Sequence, residues 1–157
     1  TPGSGSTFYF TIPYIPVQSK FENKAFISER RKYNWSNRTI LVADDIDTNF
    51  KLIKAALKST NANLIWARNG MEAIQIVKDN PKIDLVLMDL VMPDVDGFEA
   101  TRQIKAMKKS IPVICQTAYP EKENLQQTER CGFDSFLAKP IKITGMLRTI
   151  DSFITNN

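Results

Sequence analysis

The sequence predicts an α/β architecture, a doubly wound five-stranded parallel sheet, and three observations carry the prediction. Short apolar runs alternate with segments of helical periodicity five times between residues 39 and 157. Alternation of this kind builds a parallel sheet through right-handed crossovers, with helices on both faces. The run that ends at Asp89 is bounded by turn residues and apolar almost throughout, as suits a strand buried on both faces. Polar and charged residues, Asp44, Asp45, Asp89, Thr117 and Lys139, follow the apolar runs directly. That is where open α/β sheets place their ligand sites.

Each element has its own signal. Thr39 to Ala43 reads as a strand, and Thr48 to Ser59 as a helix with Phe50, Ile53 and Leu57 turned inward. Leu64 to Ala67 is a second strand. Asn69-Gly70 opens a helix over Met71 to Lys78, and Asn80-Pro81 stops it. Ile83 to Met88 forms the third strand, and after the Met92-Pro93 loop Asp96-Gly97 opens a helix from Phe98 to Met107. Ile111 to Gln116 is the fourth strand, with Gln116 expected to reach out of its end. A polar helix follows from about Glu121 to Cys131, ended by Gly132; then come a short fifth strand, Ser135 to Ala138, and a last helix, Ile143 to Ile154. Five such units suit the 2-1-3-4-5 strand order of the flavodoxin-like (βα)5 folds.

The composition, 43% hydrophobic and 24% charged, suits one compact domain with residues to spare. No apolar run approaches the ~20 residues that span a bilayer, and no secretory signal pattern occurs, so the piece reads as soluble. Cys115 and Cys131 lack metal or redox spacing and read as buried thiols. With no histidine, the chain has no imidazole base, histidine metal ligand or phosphohistidine of its own. The net charge of +4 resides in residues 17–38, six basic against two acidic, while residues 39–157 carry fifteen of each. A solvated basic linker explains it better than a nucleic-acid arm, because no groove-reading element accompanies it.

In the 2-1-3-4-5 order the carboxyl ends of strands 1, 3, 4 and 5 are neighbours. Three carboxylates (Asp44, Asp45, Asp89), the Thr117 hydroxyl and the Lys139 ammonium therefore converge on one rim. Two carboxylates ~4 Å apart repel by ~4 kcal/mol at an effective dielectric of ~20. Such a cluster wants a cation; hard oxygen ligands with room for water suit Mg²⁺, which usually accompanies phosphate. Thr117 and Lys139 could hold an anion opposite. A cation site and an anion pocket around one carboxylate describe a phosphoryl-accepting aspartate. Taken singly, the residues have plainer readings. Asp44-Asp45 could be an acidic helix start, Thr117 a helix cap, and Phe136 a core aromatic. Asp94-Val95-Asp96-Gly97 is discounted as a dehalogenase-type nucleophile loop, because Met-Pro separates it from its strand.

Residues 39–157 resemble a receiver domain of the two-component response-regulator family. The matching pieces are Asp44-Asp45, Met88-Asp89 with Met92-Pro93 and Asp96-Gly97, Thr117-Ala118, and Lys139-Pro140. The resemblance implies that Asp89 accepts a phosphoryl group from phosphohistidine. It further implies that Asp45, Asp89 and the Val91 carbonyl ligate Mg²⁺, with Asp44 acting through water. Lys139, Thr117 and the Ala118 amide would cradle the phosphoryl group, and Thr117 and Phe136 would form the switch. The Lys139-Pro140 bond is often cis in the family. Val91 stands where relatives often carry a polar side chain; with Tyr119 as a shield, it is expected to influence dephosphorylation.

Residues 1–16 are similar to the closing strand of a sensor histidine kinase ATP-binding domain, through Gly-Ser-Thr-Phe-Tyr-Phe-Thr-Ile-Pro, with Thr7 to Ile12 as a half-buried strand on which Phe8, Phe10 and Ile12 face one way. The plainer alternative, a tag remnant, suits the Gly-Ser pairs but not Phe-Tyr-Phe-Thr-Ile-Pro. The expected organisation is therefore a kinase fragment at 1–16, a linker at 17–37 and a receiver at 38–157, from a hybrid kinase. Asn49, four residues past Asp45, suits the receivers of such kinases. As isolated, the piece is expected to be no enzyme beyond assisting its own phosphorylation and dephosphorylation. Its expected partners are the parent's phosphohistidine domain and a downstream histidine phosphotransfer or output domain, with a homodimer left open. No direct nucleic-acid or membrane contact is expected, and the location is cytoplasmic even where the parent is membrane-anchored. The alternatives are an interaction module that uses the fold without phosphorylation, and a phosphohydrolase, which the missing general acid disfavours.

Overall fold

The computed structural model describes residues 3, 5, 9–11, 33–118 and 131–155. The elements are β1 (Thr39–Ala43), α1 (Asp47–Leu57) running into a 3-10 turn at Lys58–Thr60, β2 (Asn63–Ala67), α2 (Gly70–Asp79), β3 (Leu85–Asp89), α3 (Gly97–Met107), β4 (Val113–Thr117), β5 (Ser135–Ala138) and α4 (Ile143–Ile154). The strands lie in the order β2-β1-β3-β4-β5, every pair parallel, as the alternation predicts.

Local chemistry sets the boundaries. The Asn69 side chain accepts from the Glu72 amide at 2.8 Å, and Glu72 in turn accepts from the Arg68 amide at 2.7 Å, so donors at the start of α2 are satisfied reciprocally. Asp96 caps α3 in the same way, through the Glu99 amide at 2.9 Å. Gly97 admits no side chain, because a methyl group there would overlap the carbonyl of Asp89. The loop after β3 can fold back on the strand end only with glycine at this position.

Alternation along the strands sorts the core into two layers. Leu41, Val86, Met88, Val113 and Cys115 pack beneath α2 and α3 with Ala73, Val77 and Ile104. Ile40, Val42, Leu85, Leu87, Ile114 and Leu137 pack beneath α1 and α4 with Ile53, Leu57, Met146 and Ile150. Each fully buried Leu or Ile contributes about 1.5–3 kcal/mol, so the two layers together hold the sheet from both sides. Burial pushes the Cys115 thiol up to about 12, which makes it inert core material; Cys131 is half-buried, and both thiols are free.

Three expectations change, and a fourth falls almost wholly outside the described residues. The chain divides into two compact units, Thr1–Arg31 and Lys32–Asn157, so the end of the expected linker at 17–37 belongs with the folded unit. The reason is Trp35, 2% exposed in the α1–α4 layer, whose amide donates to the Thr60 carbonyl at 2.7 Å and whose indole N–H donates to Asp151 at 3.3 Å. Gln116 does not reach out: β4 runs on to Thr117, so Gln116 alternates onto the Ile114 face and is wholly buried. Neither its amide nitrogen nor its oxygen has a partner among the described residues. Of the strand expected at Thr7 to Ile12, Tyr9, Phe10 and Thr11 are described and are not in a strand; the rest lies outside the described residues. Of the helix expected from Glu121, only Cys131 is described, in a turn, and Tyr119 is also outside. Among the described residues no helix is long and apolar enough to cross a membrane.

Candidate functional site

The carboxyl ends of β1, β3 and β5 bring together Asp44, Asp45, Asp89 and Lys139. One carboxylate oxygen from each aspartate lies within 4.8 Å of the others. Asp44 is fully buried, Asp89 is 7% exposed and Asp45 is open to solvent. At that spacing each pair repels by about 3–4 kcal/mol at an effective dielectric of ~20. Among the described residues a single cation answers the three: Lys139 Nζ stands 2.5 Å from Asp89 Oδ2 and 3.3 Å from Asp44 Oδ2. The Lys139–Pro140 peptide that follows β5 is cis.

The three carboxylates are not equivalent. Asp44 is heavily engaged: the Ile46 amide donates to Oδ1 at 2.9 Å, and the Asn49 amide group on α1 donates to both oxygens at 3.0 and 3.1 Å. With Lys139 on Oδ2, little acceptor capacity remains for anything else. Asp89 receives Lys139 and the Val91 amide, the latter at 3.5 Å. Burial raises the Asp89 carboxyl above its ordinary value, Lys139 opposes that rise, and the Asp44 charge reinforces it. Burial also works against the Lys139 charge, but the hydrogen bond and charge of Asp89, helped by Asp44, outweigh it and hold the ammonium above its ordinary value. No group among the described residues donates to the Asp45 carboxylate.

Three negative charges against one positive leave a deficit that a divalent cation would cancel. All the donors are hard oxygens, so the set fits Mg²⁺, with Asp45 and Asp89 as the side chains having oxygens to offer. Thr117 ends β4 at 6% exposure, and its carbonyl accepts from the Lys139 amide at 2.7 Å. Ala118 follows it in an exposed bend. Val91 lies in the loop after β3 with its side chain 80% exposed, and the Phe136 ring on β5 is 43% exposed, turned away from the core. Asp44, Asp45, Asp89, Val91, Thr117, Ala118 and Lys139 therefore lie at the carboxyl end of the sheet or in the loops leaving it, Phe136 lies within β5, and Lys139 contacts two of the three clustered carboxylates.

One neighbour went unread in the sequence. Trp66, on the edge strand β2, donates its indole N–H to the Asp44 carbonyl at 2.8 Å. Its ring stacks on Phe50 of α1 at 4.8 Å, nearly parallel, with the Arg68 guanidinium 4.7 Å from its centre. A tryptophan on a short edge strand carries no local signal of a partner 22 residues away.

The family model described as the response regulator receiver domain matches residues 40–151. The polar-differentiation response regulator DivK of Brucella anthropi is 29% identical over 119 residues, covering 74% of this chain and 96% of that protein. Histidine kinase 3 of Arabidopsis thaliana is 28% identical over 141 residues, covering 76% of this chain; the chain spans only 14% of that kinase. Among solved structures, the receiver domain of a sensor histidine kinase from Pseudomonas aeruginosa, with magnesium coordinated in its active site cleft, aligns with a TM-score of 0.70. It is 28% identical, and the alignment covers 76% of this chain and 98% of that one.

Proposed function

Because the chain belongs to the response regulator receiver domain family, we propose that it is a phosphorelay station in which Asp89 takes a phosphoryl group from a phosphohistidine. The observation that carries this reading is the buried Asp89 carboxylate, in contact with the Lys139 ammonium and clustered with two further carboxylates, Asp44 and Asp45. One Asp89 oxygen attacks phosphorus; the P–O bond forms as the P–N bond breaks, and the electron pair stays on the donor's imidazole nitrogen. The chain has no histidine, so the donor lies outside residues 1–157. Mg²⁺, held by Asp45, Asp89 and the Val91 carbonyl with Asp44 acting through water, would neutralise charge on the phosphoryl oxygens.

The other groups position and neutralise. Lys139 exchanges part of its contact with Asp89 for a phosphoryl oxygen, and Thr117 and the Ala118 amide complete the cradle. Thr117 moving toward the new charge gives the outward Phe136 ring room to turn in, which alters the face seen by a partner. Exposed Ile46, Val91 and Ile143 stand on the loop after β1, the loop after β3 and the start of α4. They offer an apolar rim around Asp89 to a helical phosphohistidine domain, the parent kinase's own or a histidine phosphotransfer domain downstream. Residues 1–16 are read as the end of a kinase ATP-binding domain on their sequence pattern, which makes the parent a hybrid histidine kinase acting in the cytoplasm.

The test is incubation with acetyl phosphate and Mg²⁺. A mass gain of one phosphoryl group that is absent in Asp89→Asn and absent with chelator is expected. No gain in the wild-type chain would reject the phosphoacceptor reading in favour of a plain interaction module.

A further inference from the structure

We propose that Trp66 is a positioning residue of the acidic site: its indole N–H fixes the Asp44–Asp45 peptide so that the Asp45 carboxylate faces a divalent cation. The inference rests on the Mg²⁺-dependent phosphoacceptor reading above. The β1–β2 ladder ends at the pair Ala43 and Ala67, and the Asp44 amide still donates to the Ala67 carbonyl at 3.1 Å. Beyond that point β2 has no further strand residue to continue the ladder, and the indole N–H takes over, donating to the Asp44 carbonyl at 2.8 Å. Both ends of Asp44 are thus tied to the edge strand.

A peptide is planar, so holding the Asp44 carbonyl also sets the Asp45 nitrogen and Cα. The donor itself is well held. Its ring stacks on Phe50 at 4.8 Å and 3°, and the Arg68 guanidinium lies 4.7 Å from its centre. Phe50 adjoins Asn49, whose amide holds the Asp44 carboxylate at 3.0 and 3.1 Å. Backbone and side chain of Asp44 are therefore gripped from β2 and α1 together, while Asp45, next along the chain, carries no hydrogen bond among the described residues. A rigid backbone under a free carboxylate is the arrangement a metal ligand requires.

Calorimetric Mg²⁺ titration of the whole chain tests the proposal. Trp66→Phe keeps an aromatic ring against Phe50 and removes the N–H; its Mg²⁺ affinity is expected to fall about 3- to 10-fold, the effect of one lost hydrogen bond. Trp35→Phe removes the other tryptophan, which is buried and bonded to Thr60 and Asp151 rather than to the acidic pair, and is expected to leave Mg²⁺ affinity unchanged while lowering thermal stability. Equal affinity in Trp66→Phe and wild type overturns the proposal and leaves the phosphoacceptor reading intact, as does an equal loss in both tryptophan variants. Absence of Mg²⁺ binding in the wild type overturns both. If Trp66→Phe does not fold, Phe50→Leu keeps the N–H but removes the ring that orients it. A weakening of about 2- to 3-fold is then expected, and unchanged affinity overturns the proposal.

Discussion

The two ends of the sheet use the same residue type in opposite ways. At the amino end, Asp84 precedes β3 and accepts from the first amide of β1, Thr39, at 2.7 Å and from Arg38 at 2.9 Å. Asp134 precedes β5 and repeats the pattern with Val113 of β4 at 2.7 Å and Lys105 at 2.6 Å. Each carboxylate there has one cation and one strand amide, so its charge is matched and its lone pairs are used. At the carboxyl end, Lys139 pairs with Asp44 and Asp89, while Asp45 has no cation among the described residues. The amino-end carboxylates are each paired in the resting fold, whereas at the carboxyl end Asp45 keeps its oxygens without a donor among the described residues.

The largest expected effect comes from removing the one cation at the crowded end. Lys139→Met should cost about 2–4 kcal/mol near neutral pH in urea unfolding, because it leaves buried carboxylates uncompensated. Saturating Mg²⁺ should return part of that loss by mass action. The pH dependence has a definite sign. Asp89 titrates above its ordinary 3.8, so its contribution is full below that value and is lost as pH rises through the raised one. Lys139 titrates above its ordinary 10.5, so its contribution persists through neutrality and is lost only as pH climbs past its raised value. The stability gap between wild type and Lys139→Met should accordingly narrow at strongly alkaline pH. A gap that is constant with pH would remove the electrostatic account.

A smaller effect, opposite in kind at the two ends, comes from neutralising one aspartate. Asp134→Asn should lose about 1–2 kcal/mol with Mg²⁺ affinity unaltered, since a paired carboxylate and its amide contact are disturbed. Asp45→Asn should hold or gain up to about 1 kcal/mol, since a repulsion is relieved, while Mg²⁺ binding drops sharply. If the two variants behaved alike, the contrast between the ends would collapse. The smallest effect on stability belongs to Val91→Asn, within about 0.5 kcal/mol of wild type, because the side chain is 80% exposed. Its effect should appear in kinetics instead. An apolar side chain cannot hydrogen-bond an attacking water, so Asn should shorten the lifetime of phosphorylated Asp89, followed by loss of the added mass. An unchanged lifetime would show that position 91 plays no part.

Asp89, Lys139 and the Asp44-Asp45 pair were legible because their signals are local: each is a charged residue set directly after an apolar run, and run lengths give the strands. Alternation points to a parallel sheet, five units suit the flavodoxin-like 2-1-3-4-5 order, and the observed β2-β1-β3-β4-β5 sheet agrees. Gln116 is expected to reach out only if the strand ends there; with β4 continuing to Thr117 it is an interior strand residue on the Ile114 face. Trp35 was misread because a basic, aperiodic stretch has linker composition, although one large ring within it fills a core position.

What the sequence determines by itself is what is local along the chain: the period-2 and helical patterns, the helix starts at Asn69 and Asp96, and the residue types at strand ends. Tertiary structure alone decided that Trp35 bonds to Asp151, that Trp66 bonds to the Asp44 carbonyl, and that Asn49 holds both oxygens of Asp44. These are single directional contacts between residues 116, 22 and 5 positions apart. A hydrogen bond depends on a few tenths of an ångström and a narrow angle, and neither is encoded in spacing until the sheet has brought the partners together.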